Sequence, residues 1–438
     1  MSNLNLIPIG KLFDLEKGSL QSSKCTEGEY TFITAAEEWK THNEYSHECE
    51  ALIFAAAASG SLGRTHYIND KFITSDLCFI LTPKDSKKYP INLKFYHFVF
   101  NSLKDEIVKN TKSGTSKESI NQSNLRNYEI PYFEIDKQNL WIDKLVNTKS
   151  IKEDLELELS TGQSLLKQLK QTILQEAIEG KLTEKWRAKN PDIGTVKELL
   201  EQIKTEKEKL VKDKKIKASK PLPPIKEDEI PFDIPQNWEW CRLGDIIYYT
   251  DGGKSPNCEN KNIQQNEWGV IKTTAIQEML FLESENKVLP KNFKILENYV
   301  IKNYDLLITR AGPINRVGIV CQVKDLKSQL ILSDKTIRIN HNKVLLDTSY
   351  LEITLNSKAI KQIMQKSMTG MADSQVNISQ DNMKNFILPL PPLEEQKEIV
   401  ATIEKLFTIC DELESEINQN KTTVDNLMVT VLKESFEN

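Results

Sequence analysis

The hydrophobic pattern after Pro392 predicts one long helix that runs to the end of the chain. Prolines 389, 391 and 392 end the preceding segment, and apolar residues then recur at alternating spacings of four and three. This spacing is typical of a coiled-coil seam, and it is kept for more than four heptads. The seam residues are Ile399, Ile403, Leu406, Cys410, Leu413, Ile417, Val424, Leu427 and Val431, with Asn420 as the polar member.

A second helix in the middle of the chain carries a similar pattern. Moving the C-terminal seam back by 258 positions places it on Leu155, Leu159, Leu166, Leu169 and Ile173, with Gly162 opposite Asn420 in the alignment. A helix of about 40 residues is roughly 60 Å long at 1.5 Å per residue. We therefore expect these two helices to pair with each other as a rod.

The same offset relates the segments that precede the two helices. Residues 111–131 are similar to residues 367–389, with Pro131 matching Pro389 at an offset of 258. Nearer the start, Gly10 matches Gly244 at an offset of 234. Because the offset grows along the chain, the second copy contains insertions in its first half. The chain is predicted to be an internal repeat, and repeats decide the fold more than any local pattern.

Short apolar runs bounded by Gly, Asn and Pro predict strands, and longer mixed stretches at 94–110 and 349–366 predict helices. The predicted fold class is α/β (α+β), with two globular domains separated by a long antiparallel two-helix coiled coil in a pseudo-twofold repeat. The predicted segments are a first domain 1–141, a central helix 142–188, a basic and Pro-rich connector 189–234, a second domain 235–392 and a C-terminal helix 393–438. Pro-rich segments favour extended structure, so we expect the connector to be a semi-rigid spacer that holds the domains apart.

Composition narrows the class of protein. The chain has 438 residues, 39% hydrophobic and 28% charged, which is typical of a soluble globular protein. The first residues lack a signal-peptide pattern, and no apolar run is long enough to span a membrane. The seven cysteines are scattered and contain no CxxC pair. We therefore expect a cytoplasmic protein with reduced thiols and no membrane partner. The net charge is −5, but residues 394–438 carry −7, which leaves +2 for the rest and allows local basic faces.

Patterns for catalysis are weak. The sequence contains no phosphate loop, no GxGxxG and no Asn-Pro-Pro-aromatic tetrapeptide of amino-methyltransferases. His42, His47 and Cys49 could form a zinc site, although a polar loop is the better interpretation. Pro191–Asp192 with Asp213–Lys215 loosely matches a nuclease pattern, but both fall in a lysine-rich helical connector, where a solvated helix is expected.

Polar loops in both copies contain the residue types that donate to phosphates and base edges. Segments 111–119 and 368–377 each precede a short helical turn. The free backbone amides at the start of such a turn could bind an anion. Alternatively, Ser119 and Asn377 could cap these turns as ordinary N-cap residues. Arg64 and Arg316 follow small-residue turns and could equally be ordinary salt-bridged arginines. The candidate DNA-binding residues are Lys17, Ser19, Ser22, Lys24, Arg64, Lys112, Ser113, Thr115, Ser116, Lys117, Lys254, Ser255, Asn257, Lys261, Lys272, Thr273, Thr274, Arg310, Arg316, Ser374, Gln375 and Asn377.

Three segments resemble one family strongly. They are LKQTILQEAIEGKLTEKWR (169–187), PQNWEWCRLGDI (235–246) and NISQDNMKNFILPLPPLEEQKEIVATIEKL (377–406). Together with the internal repeat, they resemble the specificity subunits of type I restriction–modification systems over nearly the whole chain. The Ala-rich stretch 53–64 departs from the usual pattern, so the recognition loops of the first domain are placed less securely.

The resemblance implies a non-catalytic DNA-binding subunit. Each globular domain would be a target recognition domain for one half of a bipartite double-stranded DNA sequence, and the helix pair would set the distance between the halves. Two methyltransferase subunits would bind the helices and bring S-adenosylmethionine, and restriction subunits would join through them with ATP and magnesium. This chain itself would hold no cofactor and no metal. The acidic helix could meet a basic surface of a partner, and charge reversal at Glu414 and Glu416 tests that hypothesis.

Two alternatives stay open. The chain could be a separately encoded specificity subunit of another methylation system, which differs only in its partner. It could also belong to a different class, a coiled-coil adapter with two protein-binding domains and no contact with DNA. The repeated Ser/Gly/Lys loops argue against the adapter, since such a protein has no need to repeat them.

Overall fold

The computed structural model of the chain describes residues 5–57, 60–113 and 118–437. The chain divides into two compact units. The first unit contains Met1–Gly162 and Glu416–Asn438, and the second unit contains Gln163–Ser415.

Helices and strands alternate in both units. The helices are α1 (Ile9–Leu12), α2 (Leu93–Ser102), α3 (Lys104–Thr111), α4 (Gln122–Asn127), α5 (Ile135–Ile178), α6 (Glu184–Lys189), α7 (Val196–Lys212), α8 (Leu243–Ile246), α9 (Thr348–Asn356), α10 (Lys358–Lys366), α11 (Gln380–Lys384) and α12 (Leu393–Glu437). The strands up to residue 131 are β1 (Leu6–Pro8), β2 (Phe13–Lys17), β3 (Tyr30–Ile33), β4 (Lys40–His42), β5 (His47–Ala55), β6 (Thr65–Thr74), β7 (Cys78–Pro83), β8 (Lys112–Ser113), β9 (Ser119–Ile120) and β10 (Glu129–Pro131). The later strands are β11 (Glu239–Arg242), β12 (Ile247–Gly252), β13 (Trp268–Ile271), β14 (Ile276–Gln277), β15 (Leu280–Phe281), β16 (Asn286–Val288), β17 (Leu306–Thr309), β18 (Ala311–Gly312), β19 (Val320–Gln322), β20 (Gln329–Ile331), β21 (Thr336–His341), β22 (Thr369–Ala372), β23 (Gln375–Asn377) and β24 (Ile387–Leu390).

The first unit is built on a mixed six-stranded sheet in the order β2-β7-β5-β6-β3-β4, in which only the β3–β6 pair is parallel. Side chains of a strand alternate between the two faces of the sheet. In β5, Leu52 and Phe54 therefore join the core that contains Tyr96 and Phe100 of α2. Ile53 joins a separate apolar cluster. Both clusters are buried, so this sheet is covered on its two faces at β5.

The second unit contains a four-stranded antiparallel sheet, β12-β21-β17-β19, and a three-stranded mixed sheet, β16-β13-β20. Leu307 and Cys321 of the first sheet share a core with Leu330 of the second. Helix α9 is buried from Tyr350 to Asn356. The apolar runs that predicted strands at 269–273, 305–309 and 318–323 coincide with β13, β17 and β19.

The predicted internal repeat is confirmed by matching hydrogen bonds in the two units. Strand β1 pairs with β10 as β11 pairs with β24, and Pro131 and Pro389 occupy equivalent positions. Buried Gln138 accepts from Asn92 N (2.7 Å) and donates to Phe133 O (2.6 Å). Gln396, 258 positions later, accepts from Asp347 N (3.0 Å) and donates to Pro391 O (3.0 Å). Each glutamine thus joins the start of a long helix to its own unit.

The long helices α5 and α12 pair antiparallel, as predicted. Within the first unit, Lys144 Nζ lies 3.5 Å from a Glu434 carboxylate oxygen, and a Cβ added to Gly162 would lie 3.6 Å from Ile417 Cδ1. Within the second unit, Lys170 Nζ donates to Asp411 (2.8 Å) and Glu414 (2.7 Å). Helix α5 begins at Ile135, seven residues before the boundary that we predicted at 142.

Two predicted seam residues do not lie in the seam. Leu169 is 45% exposed and Leu413 is 44% exposed, whereas Leu166 and Ile403 are buried. The half-buried residue of α5 at this level is Lys170. A helix with 3.6 residues per turn drifts by about 20° per heptad relative to a 3.5-residue repeat. A strict heptad drawn through Gly162 and Leu166 therefore selects Leu169 for the next seam position, whereas the helix turns Lys170 towards α12.

Three local predictions need correction. The stretches 94–110 and 349–366 are each two helices, separated at Leu103 and Ser357. The caps of α4 and α11 are Asn121 and Ser379, because the predicted caps Ser119 and Asn377 are strand residues of β9 and β23. His42 and His47 are strand residues of β4 and β5 and not part of a polar loop.

The connector is packed against the second unit and is not a free spacer. Helix α7 within it buries Val196, Leu199 and Ile203. The Pro-rich part accepts hydrogen bonds from buried Arg242, which donates to Pro223 O (2.6 Å) and Pro224 O (3.1 Å). Proline carbonyls remain free to accept because proline lacks only the amide donor, and this makes an extended segment a good partner for a guanidinium.

All seven cysteines lie in the described part of the chain and are free thiols. Among the described residues, no helix is both long and apolar enough to cross a membrane.

Candidate nucleic-acid interface

Four of the predicted residues of the first unit lie at the end of β2 or on the loop that follows it. Lys17 ends the strand, and the amides of Gly18 and Ser19 donate to Cys78 O (3.0 Å) and Thr74 O (3.1 Å). These bonds fix the backbone while the side chains of Lys17, Ser19, Ser22 and Lys24 stay exposed. A fixed loop with exposed cationic and hydroxyl donors is suited to phosphate and base-edge contacts.

The other described candidates of the first unit, Arg64, Lys112 and Ser113, are engaged with protein groups. Arg64 donates to Ala35 O (3.5 Å) and Ser61 Oγ (3.4 Å), with Glu37 at 3.8 Å. Lys112 pairs with Glu118 at 2.7 Å, and Ser113 donates to Ser119 O. Thr115, Ser116 and Lys117 lie outside the described residues. Since the Glu37 and Glu118 side chains are 87% and 53% exposed, both ion pairs can exchange for a phosphate at little cost.

The equivalent loop of the second unit leaves β12 at Gly252. Lys254 N donates to Leu332 O (3.2 Å), and Ser255 Oγ donates to Asp334 (2.5 Å). Lys254 and Asn257 are exposed, and Lys261 lies 3.2 Å from Glu259. Gly253 is required here, because a Cβ at this position would lie 1.9 Å from Leu332 O. Gly18 of the first unit has the same restriction, with Ser75 O at 2.1 Å.

A buried arginine that the sequence patterns did not reveal supports this loop. Arg338 of β21 donates to Asp251 (2.7 Å) and Asp305 (3.0 Å) and also to Val300 O and Asn298 O. It is 7% exposed. Because Asp251 is the penultimate residue of β12, the arginine holds the strand from which the loop departs. No spacing in the sequence signals such a role.

The structure brings together a second group of candidates around Arg316. Its guanidinium donates to Thr273 O (2.9 Å), Ile276 O (2.8 Å) and Gln277 Oε1 (3.0 Å). These bonds favour the ordinary structural role for Arg316 over base contact. Lys272 lies 3.7 Å from Glu285, and Thr274 donates to the same carboxylate at 2.5 Å. The pKa of Glu285 is lowered by these contacts, first by the Thr274 bond and then by Lys272.

A third group surrounds the small sheet of β18, β23 and β22. Arg310 donates through Nε and Nη2 to Asn377 Oδ1, at 3.2 Å each. Ser374 and Gln375 are exposed at the turn between β22 and β23. Arg310 and Asn377, which are 67 residues apart, are therefore neighbours, and an amide held this way presents its nitrogen in a defined direction.

Two buried cysteines of the described residues are held as neutral thiols. Burial raises the pKa of the Cys78 thiol to about 12, and the pKa of the Cys321 thiol is raised still further by burial. A thiol is nucleophilic only as the thiolate, so these cysteines stay protonated at neutral pH. In the described ranges, no group of three His, Cys, Asp or Glu side chains is arranged to hold a metal ion.

The family model described as the type I restriction modification DNA specificity domain matches residues 1–160 and 235–420. The chain belongs to this family. The two matched ranges correspond to the two copies of the repeat.

Two relatives from Escherichia coli and one solved structure place the chain within the family. The EcoEI type I specificity subunit is 41% identical over 266 residues, which cover 60% of this chain and 44% of the relative. The EcoAI type I specificity subunit is 30% identical over 274 residues, which also cover 60% of this chain and 44% of the relative. The chain therefore matches less than half the length of these two relatives. One solved structure is described as the structural basis of complex assembly and conformational transition of the type I R-M system. It matches with a TM-score of 0.66 at 14% sequence identity, and the match covers 100% of this chain and 98% of that one. The two chains therefore share the same fold.

Proposed function

We propose that this chain is the non-catalytic, DNA-binding specificity subunit of a type I restriction–modification complex. The observation that carries the proposal is the presence of two equivalent loops, one after β2 and one after β12. Each loop is fixed by backbone hydrogen bonds, and each follows a repeated strand–helix–strand unit. Two loops on two homologous units suit a bipartite double-stranded DNA target.

The proposed contacts with DNA are of two kinds. Exposed Lys17, Lys24 and Lys254 are placed to bind phosphates, which supply affinity but no sequence information. Hydroxyl and amide side chains at Ser19, Ser22 and Asn257 are placed to contact base edges, which supply specificity. Arg316 is a positioning residue in this scheme, since protein carbonyls accept its hydrogen bonds.

Two methyltransferase subunits are proposed to bind the long helices, with restriction subunits joining through them. Within the second unit, Lys170 and its carboxylate partners occupy one flank of the helix pair. Heptad geometry places Leu165, Leu169, Ile409 and Leu413 on the opposite flank, and they are 59%, 45%, 54% and 44% exposed. A patch of large exposed apolar side chains on paired helices is typical of a protein-binding surface.

This arrangement changes the hypothesis of an acidic docking surface. Glu414 shares Lys170 with Asp411, so its charge is offset in part within the chain. We therefore assign the larger share of partner binding to the apolar flank. S-adenosylmethionine, ATP and magnesium would be held by the partner subunits, and this chain would carry no cofactor.

A mobility-shift assay with the methyltransferase subunits present tests the proposal. A shift that depends on DNA sequence supports a specificity subunit, and a stable complex with no DNA shift would support the adapter. The identity of the co-purifying methyltransferase distinguishes a type I system from another methylation system. An exchange of the loop 253–261 for that of a relative should change the sequence preference without changing assembly.

A further inference from the structure

A cleft of about 650 Å³ lies in the second unit between the connector and β12. The connector forms one wall because α7 ends sharply at this point. Lys214 adopts a left-handed conformation (φ 53°), and the amide of Lys215 donates to Leu210 O at 2.9 Å. This termination resembles the αL cap that glycine usually provides. It sends the following residues along the cleft, with Lys215 and Lys217 exposed on its wall.

The floor of the cleft is held by hydrogen bonds. Lys207 Nζ donates to Gly244 O at 2.6 Å, and desolvation by burial lowers the pKa of this ammonium group. A Cβ added to Gly244 would lie 2.7 Å from Leu222 Cδ1 of the same connector and 2.9 Å from Lys384 Cβ, so the connector packs closely on this glycine. Thr250 Oγ1 donates to Gln380 Oε1 at 3.1 Å, which leaves the Gln380 amide nitrogen as a donor. The connector is therefore a built part of this site.

The charge of the cleft is positive. Four lysines line it, Lys207, Lys215, Lys217 and Lys384, against one carboxylate, Asp251. Asp251 accepts from Arg338 (2.7 Å) and Asn340 (3.1 Å), and Arg338 is shared with Asp305, so the negative charge of Asp251 is offset in part. Lys384 donates to Asp381 at 3.2 Å, but the Asp381 side chain is 90% exposed and the pair is weak in water.

The cleft is continuous with the loop proposed to bind DNA. Residues Ile247–Asp251 of β12 line the cleft. A Cβ added to the next residue, Gly252, would lie 3.6 Å from Gln380 Nε2. The equivalent described residues of the first unit are arranged differently. There Gln122 and Arg126, which correspond to Gln380 and Lys384, both donate to Leu15 O (2.5 and 3.2 Å).

We propose that this lysine-lined cleft binds the phosphate backbone of duplex DNA beside the loop 253–261. The inference rests on the proposed function and adds a role for the connector, which the sequence suggested only as a spacer. Phosphate contacts of this kind fix the position of a protein on the duplex without selecting a base. They would add a phosphate-binding surface to the second unit that has no counterpart at the equivalent described residues of the first unit.

The test compares two double variants in the complex with methyltransferase subunits. K215E/K217E reverses charge in the cleft, and K209E/K212E reverses the same charge on exposed connector residues outside its lining. Binding of a fluorescein-labelled random-sequence duplex is measured by anisotropy over a range of salt concentrations. Each lost phosphate contact lowers the slope of log K against log salt by about 0.9, so we expect K215E/K217E to lower it by roughly 1 to 2 and the control much less. K215Q/K217Q should give a smaller fall of the same sign.

The methylation motif should be unchanged in K215E/K217E, because the loss of phosphate contacts weakens binding equally for all sequences. Equal slopes for the cleft and control variants would overturn the inference and leave the proposed function standing. Loss of methyltransferase assembly in K215E/K217E alone would make the cleft a protein contact and would also overturn it. Failure of the wild-type complex to bind any duplex would overturn both proposals.

Discussion

Trp238 Nε1 donates a hydrogen bond of 2.9 Å to the buried Glu395 carboxylate (Oε2) in the first turn of α12. The same carboxylate accepts from Thr183 Oγ1 (2.8 Å), Asn237 Nδ2 (3.3 Å) and the guanidinium of Arg187. Four donors from two separate segments thus meet one fully buried carboxylate. The Glu395 network joins the segment after α5, the start of the repeated second copy and the start of α12.

Substitution of Glu395 should destabilise the second unit strongly. Glu395→Ala leaves Arg187 without its buried partner, and breaking a buried ion pair in this way costs about 3–5 kcal/mol. Glu394→Ala is the matched control, since Glu394 is 58% exposed and pairs only with Lys397 one turn away. Its cost should be at most about 0.5 kcal/mol. Denaturant unfolding followed by Trp fluorescence compares the two variants, and similar midpoints would contradict the role of Glu395.

The seam and the apolar flank should respond differently to truncation. Ile403→Ala removes a fully buried side chain and should cost about 2–5 kcal/mol of stability. Leu165→Ala, at a position that is 59% exposed, should leave the free energy of unfolding nearly unchanged but weaken binding of the methyltransferase subunit. Unfolding curves and co-purification separate the effects. A Leu165→Ala variant that assembles with wild-type affinity would exclude the flank as the docking surface.

Gly253→Ala should displace the loop that follows β12. The new Cβ would lie 1.9 Å from Leu332 O, which is backbone and cannot move aside cheaply. We expect at least a tenfold loss of specific DNA affinity with methyltransferase assembly retained. Gly162→Ala is the control, because its nearest atom, Ile417 Cδ1, is 3.6 Å away and alanine favours a helix by about 1 kcal/mol. Unaltered DNA binding by Gly253→Ala would show that this loop does not contact DNA.

His341 should make the stability of the second unit depend on pH. Burial, with a smaller contribution from Lys343, lowers the pKa of His341 to about 4. The unfolded chain therefore takes up a proton before the folded one as pH falls, and stability is full above about pH 6.5 and declines towards pH 4. The loss is about 3 kcal/mol for this group.

His341→Gln provides the comparison for that titration. Glutamine does not titrate and can keep the bond to Thr348 Oγ1, which lies 3.0 Å from His341 Nε2. The variant should show a smaller decline in unfolding free energy between neutral pH and about pH 4.5. An identical decline in both proteins would assign the pH dependence to other groups.

The repeat is the part of the fold that the sequence predicts best. Its offset of 258 appears again in Gln138 and Gln396, in Asn121 and Ser379, and in Pro131 and Pro389. These matches could be predicted because a repeated chain segment repeats its local hydrogen bonds. The two long helices and their antiparallel direction could be predicted from the same repeat. The exact seam residues could not, because helix drift places Lys170, and not Leu169, against α12.

The connector and the candidate site were harder to predict. Composition showed that 204–220 is basic and 221–235 is Pro-rich, but the contact between Arg242 and Pro223 O joins residues with no shared pattern. Likewise, the sequence places Arg316 after a turn without showing that its guanidinium points to the carbonyls of Thr273 and Ile276. Side-chain direction is set by tertiary packing, and residue type alone leaves it open.

Two homologous units are proposed to direct methylation to a bipartite DNA target. The most direct measurement is to express this chain with its methyltransferase subunit and to map methylated adenines across the host genome by sequencing. The account predicts one motif in two parts with a fixed gap, and exchange of the first unit's loop should alter one part only. A continuous motif, or methylation with no sequence preference, would contradict it.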